Sequence, residues 1–250
     1  MFSSISIGSA TSHVTVVGVT SDGRTVPSAH AKVDAVADAL RIPGFAGDNG
    51  EVLPAGRSHV LLGLGAPDAV TPASVRTAAA KLVKALDRRK DKAILVDLSA
   101  GFPRKRAEVE ALGRAFAEGL AIANWRVDRF DGAATRRQPR GGTLKVESKD
   151  ADFRDGMRRG LVMGEAVNAA RAIGATPPNI CNPAWVAQQA RAMARRHGLR
   201  CTVIDHARAK RMGMGGLVTV GHANTVKGVL AALAQDELSA QLRRTHNNAN

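Results

Sequence analysis

The stretch HVLLGLGAPDAVTPASVRTAAAKLVKALDRRKDKAILVD, residues 59–97, decides the fold class of this chain. It begins with a continuous apolar run at residues 59–64, which is typical of a strand buried on both faces. Thr71 can cap a helix whose first residue is Pro72, where the missing N–H of proline costs nothing. The helix carries one apolar stripe, formed by Val75, Ala79, Leu82 and Leu86. A second buried strand at residues 93–96 completes a β-α-β unit, which predicts parallel strands.

The same alternation of strand and helix signals extends on both sides of this unit. The further predicted elements are strands at residues 14–19, 125–130 and 143–147 and helices at residues 33–40 and 109–120. We therefore predict an α/β fold. Its N-terminal domain, residues 1–150, is expected to be Rossmann-like or macro-like, with a mostly parallel sheet and helices on both faces.

Residues 151–224 carry the signals of a second, incomplete α/β domain. A long helix over residues 153–173 has a nearly bare edge formed by Gly156, Gly160 and Gly164, which fits close packing against a neighbouring element. The remaining predicted elements are a helix that Asn182-Pro183 opens and Gly198 ends, a strand at 201–204, a short helix at 207–212 and a strand at 217–220. Residues 225–250 are predicted to be a tail outside the domain.

Composition and charge limit the classes of function. The 250-residue chain has a net charge of +14 and 44% apolar residues, which is typical of a folded domain with a basic surface. Its apolar runs are far shorter than the roughly 20 residues of a membrane helix, and its start lacks a signal-peptide pattern, so a cytoplasmic protein is expected. Two cysteines, Cys181 and Cys201, are too few for a disulfide framework. The basic charge permits attraction to nucleic acid, but 3% aromatic residues argue against base stacking.

The segment from Ala169 to Asn224 carries a set of motifs in a fixed order. Its motif residues are Thr176, Pro177, Pro178, Asn179, Asn182, Pro183, Gly198, Gly213, Gly215 and Gly221. Together they resemble the linker helix and first α/β unit of the leucyl (cytosol) aminopeptidase family, and the N-terminal half resembles that family's first domain more loosely. The resemblance implies a hexamer-forming peptidase in which two divalent metals, zinc or manganese, activate water to release N-terminal amino acids. Some relatives also bind DNA.

The segments that hold the metals in that family are missing from this sequence. Neither Lys-Gly-x-Thr-Phe-Asp-Ser/Thr-Gly-Gly nor Asn-Thr-Asp-Ala-Glu-Gly-Arg-Leu occurs, and only Lys227-Gly228-Val229 echoes the first of them. The carboxylates after Asp155 are Glu165, Asp205, Asp236 and Glu237, too few to converge on two metals. Asp205 follows a strand, where an N-cap role is expected. We therefore predict no catalytic residue, metal ligand or cofactor in this chain, and an inactive, truncated relative of the aminopeptidases.

Two other local patterns suggest sites and are interpreted as structural. Gly63-Leu64-Gly65 follows a strand, but the third glycine of a dinucleotide fingerprint is absent, so a tight strand-to-helix turn is predicted. Ser58 and His59 adjoin, but neighbouring residues on a strand point to opposite faces, which predicts that they do not form a catalytic pair.

Two alternative functions follow from the charge and the resemblance. A non-catalytic module could bind nucleic acid through Arg136, Arg137, Arg140, Arg195, Arg196, Lys210 and Arg211. This hypothesis depends on whether those clusters share one face. Alternatively, the chain could be a homo-oligomer or a regulatory subunit in a hexamer of full-length aminopeptidase chains. The regulatory role would need the glycine-edged helix and the domain boundary near residue 150 to meet a partner chain.

Overall fold

The computed structural model describes residues 2–9, 11, 14–25, 43–89, 93–98, 106–127, 141–222 and 228–234. The helix predicted at residues 33–40 lies outside these ranges. The chain divides into two compact units, Met1–Ala172 and Ile173–Asn250. The first unit thus includes most of the helix that follows residue 150, where the sequence predicted the domain boundary.

The first unit contains six strands and three helices among its described residues. In chain order they are β1 (Ser4–Ile7), β2 (Val14–Val19), β3 (Val52–Ala55), β4 (His59–Gly63), α1 (Pro72–Arg89), β5 (Ala93–Asp97), α2 (Arg106–Ala123), β6 (Thr143–Glu147) and α3 (Ala151–Gly174). The strands form one sheet in the order β1-β6-β5-β2-β4-β3. Every neighbouring pair is parallel except β3 with β4. The predicted α/β class and mostly parallel sheet are therefore confirmed.

The central strands are buried on both faces, as their continuous apolar sequences predict. All six residues of β2 are buried. Val16 of β2 packs in the larger core cluster with Val60 and Leu62 of β4. Val17, the next residue of β2, packs in a second cluster with Leu61. Because successive side chains of a strand point to opposite faces, the two clusters lie on the two sides of the sheet.

The strand predicted at residues 125–130 is wrong for the residues that the structure describes. Residues 125–127 are not in a strand, and residues 128–130 lie outside the described ranges. Trp125 instead stacks with a cation, because the guanidinium of Arg171 lies 4.2 Å from its ring centroid. The neighbouring Asn124 is buried and holds the backbone of Phe2, accepting from its N–H at 2.8 Å and donating to its carbonyl at 3.0 Å. β1, which the sequence patterns did not predict, follows directly from this anchor.

The bare edge of α3 packs on the backbone of α2. A Cβ atom at Gly156 would overlap the carbonyl oxygen of Glu110, and one at Gly160 would overlap that of Arg114. The predicted close approach is confirmed, and its partner lies within this chain. Further along, α3 side chains complete the end of α2: Asn168 donates to the carbonyl of Ala121 and Arg171 to that of Ile122, both at 2.9 Å. These are carbonyls that the last turn of a helix leaves without an internal partner.

The second unit contains three helices and two strands among its described residues. They are α4 (Pro183–His197), β7 (Arg200–Ile204), α5 (His206–Arg211), α6 (Gly215–His222) and β8 (Leu230–Ala234). β7 and β8 pair antiparallel as a two-stranded sheet. The strand predicted at residues 217–220 is wrong, because these residues lie in α6, where Val218 N–H donates to the Met214 carbonyl at 3.1 Å. A four-residue apolar run fits either structure, so its periodicity does not decide between them.

The described part of the second unit has much less buried apolar surface than that of the first. Both large core clusters are built from residues of the first unit. Among the described residues of the second unit, the buried apolar side chains are the alanines Ala187, Ala194 and Ala209. No helix in the described part of the chain is long and apolar enough to span a membrane.

Replacing Gly160 with alanine is expected to destabilise the first unit by about 1–3 kcal/mol, because the new methyl group must push α3 away from the backbone of α2. Urea unfolding followed by Trp125 fluorescence in a Trp185→Phe background measures this unit alone. The matched control is Gly141→Ala in the same unit, since a Cβ at Gly141 meets no atom. An alanine at 160 that raises stability as alanine does in an open helix would contradict the close contact.

Candidate functional site

The motif residues around α4 set the limits of that helix. The Asn182 side chain accepts a hydrogen bond from the Trp185 N–H at 3.0 Å, and Pro183 occupies the first helical position. Gly198 ends the helix with a left-handed conformation at φ 67°, and its N–H donates to the Ala194 carbonyl. The N-cap at Asn182 and the glycine stop predicted from the sequence are confirmed.

Thr176-Pro177-Pro178-Asn179 forms the turn between α3 and the Asn182 cap. Thr176 is buried, and its N–H donates to the Ile173 carbonyl at 3.0 Å. The Pro177 carbonyl then accepts from two successive N–H groups, those of Ile180 at 2.9 Å and Cys181 at 2.8 Å. These bonds form a local turn that ends directly before the Asn182 cap of α4.

Asp205 opens α5 through its side chain. Its Oδ1 accepts from the Arg208 N–H at 2.8 Å, so the predicted N-cap is confirmed. After α5, Gly213 adopts a left-handed φ of 71°, and the Met214 N–H donates to the Ala209 carbonyl at 3.0 Å. Gly215 then begins α6, and Gly221 lies near the end of that helix. The motif residues of the segment therefore lie in the turn before α4, at helix boundaries or within α6.

The described residues do not fit the two-metal centre that the resemblance implies. Within the described ranges, no group of three or more His, Cys, Asp or Glu side chains converges as a metal site would require. Asp205 is the one carboxylate of the second unit that the structure describes, and it is used as a helix cap. Glu165 is exposed on α3, and Asp236 and Glu237 lie outside the described residues. The donor set in the described ranges therefore supports no catalytic step through a metal.

Gly63 ends β4, and Gly65 has a left-handed conformation at φ 78°. Residues 64–66 form an irregular segment and not the tight turn that the sequence predicted. The N–H groups of residues 63–65 donate to the carbonyls of Glu51, Val19 and Gly47 at 2.8, 2.8 and 2.9 Å. A phosphate-binding loop needs such N–H groups to be free for the ligand. A Cβ at Gly63 would also overlap the Asp48 carbonyl, so the first glycine serves close packing against the preceding loop.

Ser58 and His59 are in contact, which corrects the prediction that they point apart. Ser58 Oγ lies 3.1 Å from His59 Nδ1. The alternation of a strand does not apply to the pair, because β4 begins at His59 and Ser58 belongs to the preceding turn. Ser58 is exposed, and the structure places no buried acid against the pair among its described contacts. The contact is an exposed hydrogen bond at the amino end of β4.

The basic residues of the second unit occupy two places on its fold. Arg195 and Arg196 lie in the last turn of α4, which leads into β7. Lys210 and Arg211 lie in the last turn of α5, beyond the other end of β7. The two clusters are thus separated along the chain by β7 and α5. Both stand at helix C-termini, where cations stabilise the helix dipole. Arg136, Arg137 and Arg140 lie outside the described residues.

The described part of the second unit is strongly basic. It contains one acid, Asp205, against seven cations: Arg191, Arg195, Arg196, Arg200, Arg208, Lys210 and Arg211. All seven side chains are exposed, and none forms an ion pair with another described residue. The sequence shows where these cations lie along the chain. The structure shows that five of them lie in the last turns of α4 and α5.

Comparison with known proteins identifies the class to which this arrangement belongs. A model of the cytosol aminopeptidase family, N-terminal domain, matches residues 16–132, and a model of the catalytic domain of the same family matches residues 168–241. The chain therefore belongs to the cytosol aminopeptidase family. The second match runs beyond Asn224, so it includes part of the predicted tail and the strand β8.

Curated relatives are considerably longer than this chain. The probable cytosol aminopeptidase of Aquifex aeolicus is 30% identical over 186 residues, which cover 72% of this chain and 36% of the relative. That of Syntrophotalea carbinolica is 31% identical over 198 residues, which cover 72% of this chain and 38% of the relative. The chain thus spans little more than a third of the length of these relatives.

Solved structures share the fold. The bottromycin maturation enzyme BotP is 25% identical, with a TM-score of 0.69, and the match covers 90% of this chain and 46% of BotP. A mutant tomato leucine aminopeptidase has a TM-score of 0.71 at 17% identity, covering 93% of this chain and 50% of that one. BotP has also been solved in complex with Mn. The metal belongs to that protein, and the described donors of this chain do not reproduce a site for it.

Substituting Asp205 with asparagine and with alanine tests whether its side chain serves as a helix cap or as a metal ligand. Asparagine caps helices as well as aspartate, so Asp205→Asn should retain stability, whereas Asp205→Ala should lose about 1 kcal/mol. Urea unfolding followed by Trp185 fluorescence in a Trp125→Phe background reports on the second unit. Equal losses in both variants would show that the negative charge of Asp205 matters and would contradict the cap interpretation.

Proposed function

We propose that this chain supplies the N-terminal domain and the first part of an aminopeptidase-type catalytic domain, and that these residues alone do not hydrolyse peptides. The observation that carries the proposal is the use of Asp205 as a helix cap, in a unit whose other described charges are all positive. Two hard divalent ions need several carboxylates to offset their charge. A surplus of cations opposes their binding.

Family membership supports the remaining parts of the proposal. The release of N-terminal amino acids by two zinc or manganese ions is the activity that the family implies for a chain with the metal-binding segments. The family also implies that this chain assembles with further copies of itself or with longer relatives. A cytoplasmic location is proposed from the names of the relatives, which are cytosol aminopeptidases.

Metal content and peptidase activity test the proposal directly. The purified chain, supplied with manganese and zinc and then desalted, is expected to retain no stoichiometric metal and to release no chromophore from a leucine chromogenic amide. The Aquifex aeolicus relative, treated identically, serves as the positive control for the assay. Stoichiometric metal with turnover in this chain, lost in Asp205→Asn, would overturn the proposal and would assign Asp205 as a ligand.

A second candidate function, binding to nucleic acid, is favoured by one observation. The seven exposed cations of the second unit have no ion-pair partner among described residues, so their charge is available to a polyanion. Five of the seven lie in the last turns of α4 and α5, which argues for phosphate contacts at two separate points. The regulatory subunit role would need the glycine edge of α3 to contact a partner chain. This edge packs on α2 of the same chain, which argues against that role.

Duplex DNA binding measured over a salt series tests this second function. Arg195→Ala with Arg196→Ala, or Lys210→Ala with Arg211→Ala, is expected to reduce the salt slope by about two in each case, since each cation that meets a phosphate contributes about one. The control is Arg24→Ala with Arg158→Ala, which removes equal charge from ion-paired positions in the first unit. Equal reductions by all three pairs would indicate a non-specific effect of net charge and would contradict specific clusters.

A further inference from the structure

β1 lies at one edge of the sheet and is held differently from the central strands. Among the described strands it pairs with β6 alone. All residues of β2 are buried, whereas β1 has one exposed and three half-buried residues. Its Ile5 and Ile7 are partly buried and pack against the larger core cluster. β1 therefore gains less from burial than the central strands, and elements of this kind open at a lower free energy than the core.

One buried side chain, that of Asn124, holds the start of this segment. Asn124 directly follows α2, and its N–H donates to the Leu120 carbonyl at 3.0 Å, which fixes it to the last turn of that helix. Its side-chain amide accepts from the Phe2 N–H and donates to the Phe2 carbonyl, and both hydrogen bonds are buried. A strand neighbour in an antiparallel sheet makes the same two bonds to one residue. Asn124 thus takes the place of a strand neighbour just before β1 begins.

The remaining contacts of the segment are concentrated at the same end. The Phe2 side chain is 2% exposed and belongs to the larger core cluster. Ser3 donates to the Gly142 carbonyl from its N–H at 2.9 Å and from its hydroxyl at 2.6 Å. At the other end of β1, Gly8 has φ 142°, a conformation that residues with a side chain rarely adopt. The segment is therefore anchored at its start and has a glycine bend at its end.

We infer that residues 2–8 form a latch, which leaves the sheet as one unit while the rest of the first unit stays folded, and that Asn124 is the residue that holds it closed. Phe2 supplies both the buried ring and the two backbone groups that Asn124 binds, so these contacts form and break together. The support of the latch stays in place, because Asn168 and Arg171 of α3 bind the end of α2.

Opening of the latch uncovers the edge of β6. The backbone N–H and C=O groups along that edge then have no strand beside them, and such an edge can pair with another extended segment. The latch thus controls access to a strand-binding edge of the sheet. The inference does not depend on the proposed function, because it uses residues of the first unit alone.

Hydrogen exchange of the full chain, followed by mass spectrometry, tests whether the latch opens by itself. The amides of residues 3–8 are expected to exchange together and at least roughly tenfold faster than those of β2 and β5, under conditions in which the first unit remains folded. Exchange of β1 at the rate of β2 would mean that β1 is released only when the whole unit unfolds, and this result would overturn the inference.

Substitution of Asn124 tests its role in holding the latch. Asn124→Leu keeps a side chain of similar size but removes both hydrogen bonds to Phe2, so exchange of β1 should accelerate at least about tenfold while that of β2 stays unchanged. The matched control is Asn168→Ala, which removes an amide that binds Ala121 at the same end of α2 and should leave β1 unchanged. Equal acceleration in the two variants would assign the effect to a general loosening of α2 and would contradict the latch.

A reversible disulfide tests the opening without removing any contact of Asn124. Ser4 and Thr143 are register partners on β1 and β6, and both are exposed. Neighbouring strands lie close enough for a disulfide to join such partners. In a background with Cys181→Ser and Cys201→Ser, Ser4→Cys with Thr143→Cys should slow β1 exchange to the rate of β2 when oxidised and restore it when reduced. Unchanged β1 exchange in the oxidised form would show that the strand does not open separately.

Discussion

Burial of β2 on both of its faces is the constraint on which the rest of the first unit depends. A strand in this position can contribute side chains to two cores at once, as Val16 and Val17 do. It also needs a parallel neighbour on each side, which β4 and β5 provide. Parallel neighbours require long crossover connections, so the helices α1 and α2 follow from the same requirement. The N–H groups of residues 63–65, at the end of β4, donate to the carbonyls of Glu51, Val19 and Gly47. These amides therefore stabilise the fold and are not free to bind a ligand.

The long helix α3 packs closely on α2 because it has glycines where the two helices meet. On its inner side, three glycines let two helix backbones approach, while Asn168 and Arg171 complete the carbonyl end of α2. Both close backbone packing and side-chain hydrogen bonds therefore hold α3 against α2. The segment that resembles the catalytic part of the family begins within α3. Thr176 belongs to the turn that follows this helix, and Asn182 and Asp205 cap the next two helices.

The sequence predicted those features whose signals are local. Continuous apolar runs gave β2, β4 and β5, and cap residues gave the limits of α4 and α5. Features that depend on distant partners were missed or wrong. β1 pairs with β6, which lies about 140 residues away, and residues 217–220 became helical because of contacts that a short apolar run does not encode. The sequence located the basic clusters, whereas their placement in the last turns of α4 and α5 required the fold.

The contrast between the two cores has a thermodynamic consequence. The first unit buries large side chains such as Phe116, Leu61 and Leu95, and the second buries alanines among its described residues. Since hydrophobic stabilisation grows with the apolar area removed from water, the described parts of the two units gain very different amounts from folding. The described parts of the two units are therefore expected to lose their structure at different temperatures. A single melting temperature would describe the first unit, and the calorimetric enthalpy of the whole chain would not match the enthalpy obtained from the shape of that transition.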